Sequence, residues 1–260
     1  LKYLQVHIPF RMLLDDFLDT VLTKGIQPEI GFDYAILDSV GKPECRKVAD
    51  RLSDAGLRVT FHAPFMDLRP GAVDPGIRAV SRERLRQVFE LVPLFRPRTV
   101  VCHPSFDARY YVSTEMQWLE NSLSLWGDFA ERAAELDTLL VLENVYESTP
   151  RQLARLLKGL ASPHVRFCLD TGHFNAFSNA PLTAWLEELG DFLGEIHLHD
   201  NDGSRDAHLP IGEGNFPFPE LFAFLRQREP KPILTLEAHS TEHFLRTVAT
   251  LEKNRLFGLI

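Results

Sequence analysis

The segment IHLHDNDGSRDAHLPIGEG, Ile196 to Gly214, crowds imidazoles and carboxylates into one short stretch. A loop that needed only solubility would take Lys, Ser or Glu and would have no use for imidazole. His197, Asp206 and His208 are candidate metal ligands here, and His199 and Asp200 are candidates to orient them. Similar side chains recur in short motifs upstream and downstream. His62 stands in FHAP, His103 in VCHP, Glu143 in LEN, Asp170 and His173 in LDTGH, and Glu237 in LTLEAH. Asp170 and His173 are close enough to reach one site, and Asp206 and His208 share a side if their loop is extended. Imidazole and carboxylate together suit zinc, manganese or iron better than calcium or magnesium. The set holds no Cys, which excludes a structural zinc finger.

The elements that must position these residues alternate regularly. Strand-like runs fall at 3–8, 28–32, 58–62, 99–103, 139–144, 165–170, 194–199 and 232–238, each followed by a helical pattern. Leu119, Leu123, Trp126, Ala130 and Ala133 fall on one helical face, as do Phe244, Val248 and Leu251. Such alternation predicts an α/β fold with a parallel sheet, closed as a (β/α)8 barrel in a single domain over 1–260. The rival, an open doubly wound sheet, usually carries a Gly-rich first turn, and HIPFRM has no Gly. The predicted strand ends are His7, Phe32-Asp33, His62, His103, Glu143, Asp170, His197 and Glu237. A barrel gathers those ends at one mouth, where so much charge would be crowded unless cations neutralised it.

Side-chain alternation carries the reading further. If His103 points inward, Cys102 faces the helices. If Glu143 points inward, Val141 and Leu139 fill the barrel below it, and Cys168 packs there beneath Asp170. His7 reads as a wall residue. His164, His239 and His243 read as structural or solvent-exposed, and Trp118, Trp126 and Trp185 as helix-to-barrel packing. Arg69 and Arg109 read as solvated loop residues, with contact to a substrate phosphate as the alternative.

Bulk composition sets outer limits. The chain has 260 residues, is 45% hydrophobic and carries a net charge of −8, which argues against a protein built to coat nucleic acid or an anionic membrane. Cys45, Cys102 and Cys168 are odd in number and outside any CxxC pattern, so free thiols in a reducing compartment are expected. No apolar run reaches the length of a membrane span, and the first residues do not read as a signal peptide, so cytoplasmic residence is expected.

The ordered series FHAP, VCHP, LEN, LDTGH, IHLHDN, DAHLPIGEG and LTLEAH resembles the xylose isomerase-like TIM-barrel superfamily. That group includes sugar-phosphate isomerases and epimerases and the endonuclease IV family. The resemblance implies one metal platform and two chemistries. For an isomerase or epimerase it implies one divalent ion, manganese or zinc, on Glu143, Asp170, His197 and Glu237. Glu143 and Glu237 would then be the acid–base pair, and His173 would meet a substrate hydroxyl. For an endonuclease IV-like phosphodiesterase it implies up to three zinc ions. His62, His103 and Glu143 would hold the first, Glu143, Asp170, His197 and Glu237 the second, and His173, Asp206 and His208 the third.

The complete ligand set favours the hydrolase. The rest of the chain favours the isomerase or epimerase, which we put first. A duplex-binding enzyme needs Lys and Arg around the mouth. Here RERLRQ, RQLAR and RQRE lie within predicted helices, and the mouth loops HDNDGSRD and IGEGNFPF are acidic or apolar. Phe65 would cap an apolar sugar face or, under the alternative, wedge into a DNA stack. His62, His103 and His208 have a second role as hydrogen-bond donors to a sugar or sugar phosphate. The bland alternatives are a buried polar network closing the barrel and a non-catalytic binding barrel. Barrels of this group often pair, so a homodimer is compatible with the resemblance.

Overall fold

A computed structural model describes residues 4–15 and 17–255. Tyr3, at the start of the first expected strand, lies outside them. Eight parallel strands close in sequence order into a barrel. They are β1 Leu4–Pro9, β2 Gln27–Gly31, β3 Thr60–His62, β4 Thr99–Cys102, β5 Leu139–Glu143, β6 Val165–Asp170, β7 Leu193–Leu198 and β8 Ile233–Leu236. Helices connect successive strands, the longest being Glu115–Glu135. The expected (β/α)8 architecture is therefore the observed one. Among the described residues, no helix is long and apolar enough to cross a membrane.

Alternation divides each strand between two environments. Ile8, Ile30, Phe61, Val100, Cys102, Leu140, Leu142, Phe167, Leu169, Ile196, Leu198, Leu234 and Leu236 face outward and join the core shared with the helices. Trp118, Trp126 and Trp185 are buried in that layer, as their helical spacing predicts. The inward positions form a separate small apolar group, Val101, Val141 and Cys168, with Leu139 packed against it. Register brings these together, since Val101 pairs with Val141 and Cys168 lies beside Glu143. The expected directions of Cys102, Val141, Leu139 and Cys168 all agree.

The apolar filling covers only one side of the barrel. On the other side the inward residues are Gln5, Gln27, Glu29, Thr60, Glu195 and Thr235, and Thr99 lies below Val101 on β4, all buried. Glu195 is held by Thr99 and Thr235, whose hydroxyls each donate at 2.7 Å. Its carboxyl is pushed up to about 8 by burial and by the neighbouring Glu29 charge. A neutral acid is thus the stable form at the barrel's centre.

Asp33 departs from the expected pattern of strand ends. It caps the helix Tyr34–Ser39 by accepting from the Ile36 N–H at 2.8 Å. Phe32 points outward into the core, so strand two contributes Glu29 to the interior instead.

The three thiols are all buried, and burial raises the pKa of each. None should react with an aromatic disulfide reagent in the native protein, and all three should react after unfolding in guanidinium. Labelling of a native thiol within minutes would contradict this packing.

Candidate metal centre and pocket

Each strand end delivers its side chain to the mouth for a local reason. His62 and Glu143 end β3 and β5, and Asp170 ends β6 while capping the helix Thr171–Phe177 by accepting from the His173 N–H at 2.6 Å. That cap turns the chain so that His173 faces back over the site. Gly172 between them is a necessity, because a Cβ there would lie 2.0 Å from the His199 ring and 2.9 Å from Asp206. Asn144 braces the same corner, accepting from the Asp170 N–H at 2.9 Å and donating to the Asp170 carbonyl at 3.1 Å.

The predicted residues assemble into three adjoining groups. His62 Nε2 and His103 Nε2 both lie 3.2 Å from one oxygen, Oε2 of Glu143. His197 Nδ1 faces Glu237 at 3.1 Å, Glu143 at 3.5 Å and Asp170 at 3.8 Å. His208 Nε2 and His173 Nε2 approach Oδ2 of Asp206 at 3.0 and 3.4 Å. His199 sits between the second and third groups, with Nε2 2.8 Å from Asp170 and Nδ1 3.5 Å from Asp206. Its ring stacks flat on His208 at 3.8 Å.

The orientation of the imidazoles tests whether these groups suit a cation. Nδ1 of His62 donates to the Ala63 carbonyl, Nδ1 of His173 to the Asn144 carbonyl and Nδ1 of His208 to the Glu237 carbonyl, at 2.9, 3.0 and 3.3 Å. Each therefore turns Nε2, a lone pair in the neutral ring, toward carboxylates. His197 is reversed: Nε2 meets Glu29 at 3.2 Å, while its buried Nδ1 has no hydrogen-bond partner among the described residues. A lone pair facing a carboxylate is repulsive unless a proton or a metal ion lies between. The donor set, imidazole and carboxylate without thiolate, fits zinc or manganese.

The electrostatics make the same demand. Burial alone would raise the Glu143 and Glu237 carboxyls, yet the surrounding imidazoles hold both well below the usual range. Burial alone would lower His62 and His208, yet Glu143 and Asp206 raise each to about 9. The site is short of positive charge, and protons supply it where no cation does.

Above this floor lies a cavity of about 590 Å³, lined by His7, His62, Phe65, His103, Tyr110, Glu143, Tyr146, His173, Asp206, His208, Glu237 and His239, among others. Phe65 stacks on His103 at 4.6 Å and is 44% exposed, so its outer face is open to a ligand. Arg69 is the one Lys or Arg among the described lining residues, and its guanidinium lies over the Tyr110 ring at 4.3 Å. Arg109 pairs with Asp107 and lies outside the lining. Of the basic clusters expected within helices, Arg84 pairs with Asp38 and Arg155 with Glu115, while RQRE runs past the end of the helix Phe218–Arg226 and its Arg228 pairs with Asp191.

Some expectations need revision. Asp200 faces no ligand. Its carboxylate accepts from the backbone N–H groups of Asn201, Gly212, Gly214 and Phe216, and so ties the loop together. The GEG segment is accordingly a turn bound to Asp200. His7 is more than a wall residue, since its Nδ1 donates to Glu29 at 3.0 Å. His239 lines the cavity and stacks on His208 at 3.8 Å. Sequence reasoning missed Glu29 and Glu195. The parity that placed His197 inward also places Glu195 inward two residues earlier, and Glu29 alternates with the outward Ile30.

The family described as xylose isomerase-like TIM barrel matches residues 25–255, and the chain belongs to it. An uncharacterized protein of Methanocaldococcus jannaschii is 29% identical over 188 residues, 70% of this chain and 64% of that protein. The chain thus spans just under two thirds of that relative. A probable endonuclease 4 of Mycoplasma pneumoniae is 26% identical over 222 residues, 79% of this chain and 76% of that protein. A solved structure of a D-tagatose 3-epimerase-like protein is similar in fold, with a TM-score of 0.83 at 21% identity over 98% of this chain and 97% of that one.

Removing the Asp200 carboxylate leaves four backbone donors without their acceptor. Asp200→Ala should cost about 3 kcal/mol, on the scale of hydrogen bonds to a charged group, and should expose residues 201–216 to limited proteolysis. An unchanged denaturation midpoint and cleavage pattern would show that the loop is held by other means.

Proposed function

We propose that the chain is a divalent-metal-dependent isomerase or epimerase acting on a sugar or sugar phosphate. The observation that carries this reading is the approach of Glu237 and Glu143 to one nitrogen, His197 Nδ1, at 3.1 and 3.5 Å, at the floor of a pocket whose walls include Phe65, Tyr110 and Tyr146. Glu143, Asp170, His197 and Glu237 would hold the metal. A divalent ion there, when bound, polarises a carbonyl and acidifies the neighbouring C–H.

The chain's own groups do the rest. The carboxylates of Glu143 and Glu237 come from strands five and eight, across the mouth from one another, and are kept ionised by the imidazoles around them. One of them, ionised, takes the proton and becomes the acid; either it hands that proton back at the neighbouring carbon, or the other carboxylate first takes up a proton from solvent and delivers it, a contribution of roughly 10²–10⁴-fold in rate. His173, with Nδ1 fixed by the Asn144 carbonyl, presents Nε2 to a substrate hydroxyl. Phe65 covers the apolar face of the ring and limits water at the reacting carbon. The similarity to a D-tagatose 3-epimerase-like fold supports this reading.

A second reading has its own observation. The convergence of His62 with His103 on Glu143, and of His173 with His208 on Asp206, provides two further metal positions beside the first. That constellation, with the similarity to an endonuclease 4, favours a zinc phosphodiesterase. The scarcity of Lys and Arg at the mouth weighs against a duplex substrate.

The two readings separate by experiment. Manganese- or zinc-loaded protein incubated in D₂O with ketoses, aldoses and their phosphates should exchange the hydrogen beside the carbonyl. Glu143→Gln and Glu237→Gln should each lower that exchange by roughly 10²-fold or more. Cleavage of an abasic-site duplex without exchange on any sugar would overturn the first reading. So would three zinc ions per chain with one lost in His62→Ala and another in His208→Ala, if it accompanied such cleavage.

A further inference from the structure

His197 differs from His62, His173 and His208 in what anchors it, and shares with His199 an anchor that is a carboxylate. His62, His173 and His208 are fixed by backbone carbonyls through Nδ1. His197 is fixed through Nε2 by a side chain, the wholly buried Glu29, at 3.2 Å. Glu29 is in turn held by His7, whose Nδ1 donates to its other oxygen at 3.0 Å. The three residues form one chain from the pocket wall to the metal-facing nitrogen. Strand two makes room for it, because a Cβ on Gly31 would lie 2.8 Å from both Cε1 and Nε2 of the His7 ring.

For the neutral His197 ring the geometry allows one arrangement of its hydrogen. A carboxylate accepts only, so the His197 nitrogen facing Glu29 must carry the hydrogen. The neutral ring then has its lone pair on Nδ1, which looks onto Glu237, Glu143 and Asp170. With the hydrogen moved to Nδ1, a bare Nε2 would face a buried carboxylate at 3.2 Å with nothing between them.

We propose that Glu29 is a positioning residue that locks the tautomer and the aim of His197 for metal binding, and that His7, seated over Gly31, locks Glu29. This rests on the metal-site reading above and adds to it residues that act through His197 rather than as ligands in that reading. A backbone carbonyl would fix the ring's direction equally well. A carboxylate also makes the ring a stronger donor to a cation, and mutating such partners typically costs 10–100-fold in metal affinity.

The test is the affinity of the metal-free protein for Zn²⁺ and for Mn²⁺, measured by competition with a chromogenic chelator. Glu29→Gln should weaken binding roughly 10–100-fold, with the metal-free protein melting no lower than wild type. Gly31→Ala should displace His7 and weaken binding by a smaller factor. A lower melting temperature with wild-type affinity would assign Glu29 a purely structural role and overturn the proposal. Histidine ¹⁵N chemical shifts of zinc-loaded wild type give an answer that needs no variant. A hydrogen on Nε2 of His197 is expected, and a hydrogen on Nδ1 overturns the proposal. Wild type that binds neither metal would overturn the metal reading and this one together. Wild type that binds, with Glu29→Gln equal to it within threefold, overturns this one alone.

Discussion

Negative charge buried at the barrel mouth is the constraint on which the rest of the structure depends. Oxygens of Glu143 and Asp170, and of Glu29 and Glu237, lie within 4.8 Å of one another. Two carboxylates at that distance repel by roughly 3 kcal/mol at an effective dielectric of 20, and several such pairs share one small volume. No folded chain tolerates that without nearby positive charge. His62, His173, His197 and His208 are placed to supply it as a proton or to accept a metal ion in its stead. The anchoring carbonyls, the His173 turn, the Asp200-bound loop and the gap at Gly172 all serve to hold those rings in place.

The barrel interior is graded to suit this task. Val101, Val141, Cys168 and Leu139 give one side a dry filling, below Glu143 and Asp170. The opposite side, below His7 and His197, is polar and hydrogen-bonded. A fully apolar interior would have left Glu29 without His7 as a partner. A fully polar one would have weakened the burial that makes the carboxylates' demand for a cation so strong. Glu195 marks the boundary. It is buried like Glu29, but hydroxyls rather than imidazoles hydrogen-bond to it, so burial and the Glu29 charge push its carboxyl up, while His197 and His7 draw Glu29 down to about 2 against its burial.

Much of this was legible before any coordinates, for one reason. Period-two alternation runs unbroken along β4 and β5, so once His103 or Glu143 is placed inward, Cys102, Val141 and Leu139 follow. The same rule could have exposed Glu29 and Glu195, which share parity with neighbours already in view. A carboxylate in PEIGF resembles a solvent-facing residue until the strand is known to be covered on both faces. Asp33 misled for the opposite reason. It stands at a strand end, but it is also the natural cap of the helix that follows, and capping took the side chain. Asp200 was read as a ligand partner because it sits among ligands, whereas the tight turns at Gly212 and Gly214 needed an acceptor more.

The choice between one metal and several turns on what a neutral imidazole is for. Paired with a carboxylate at 3.2 Å, the Nε2 atoms of His62 and His103 are ligands if an ion lies among them and hydrogen-bond donors if none does. Both states satisfy the same geometry, so the ligand set by itself cannot choose a reaction. The walls of the pocket can. A phosphodiester in a duplex brings many charges and requires many cations around it. A sugar brings hydroxyls and an apolar ring face, and requires imidazoles, carboxylates and an aromatic surface. Phe65, lying against His103 with its outer face open, meets the second requirement, and the single pocket-lining guanidinium of Arg69 falls well short of the first. That asymmetry in the walls ranks proton transfer on a sugar ahead of phosphodiester cleavage.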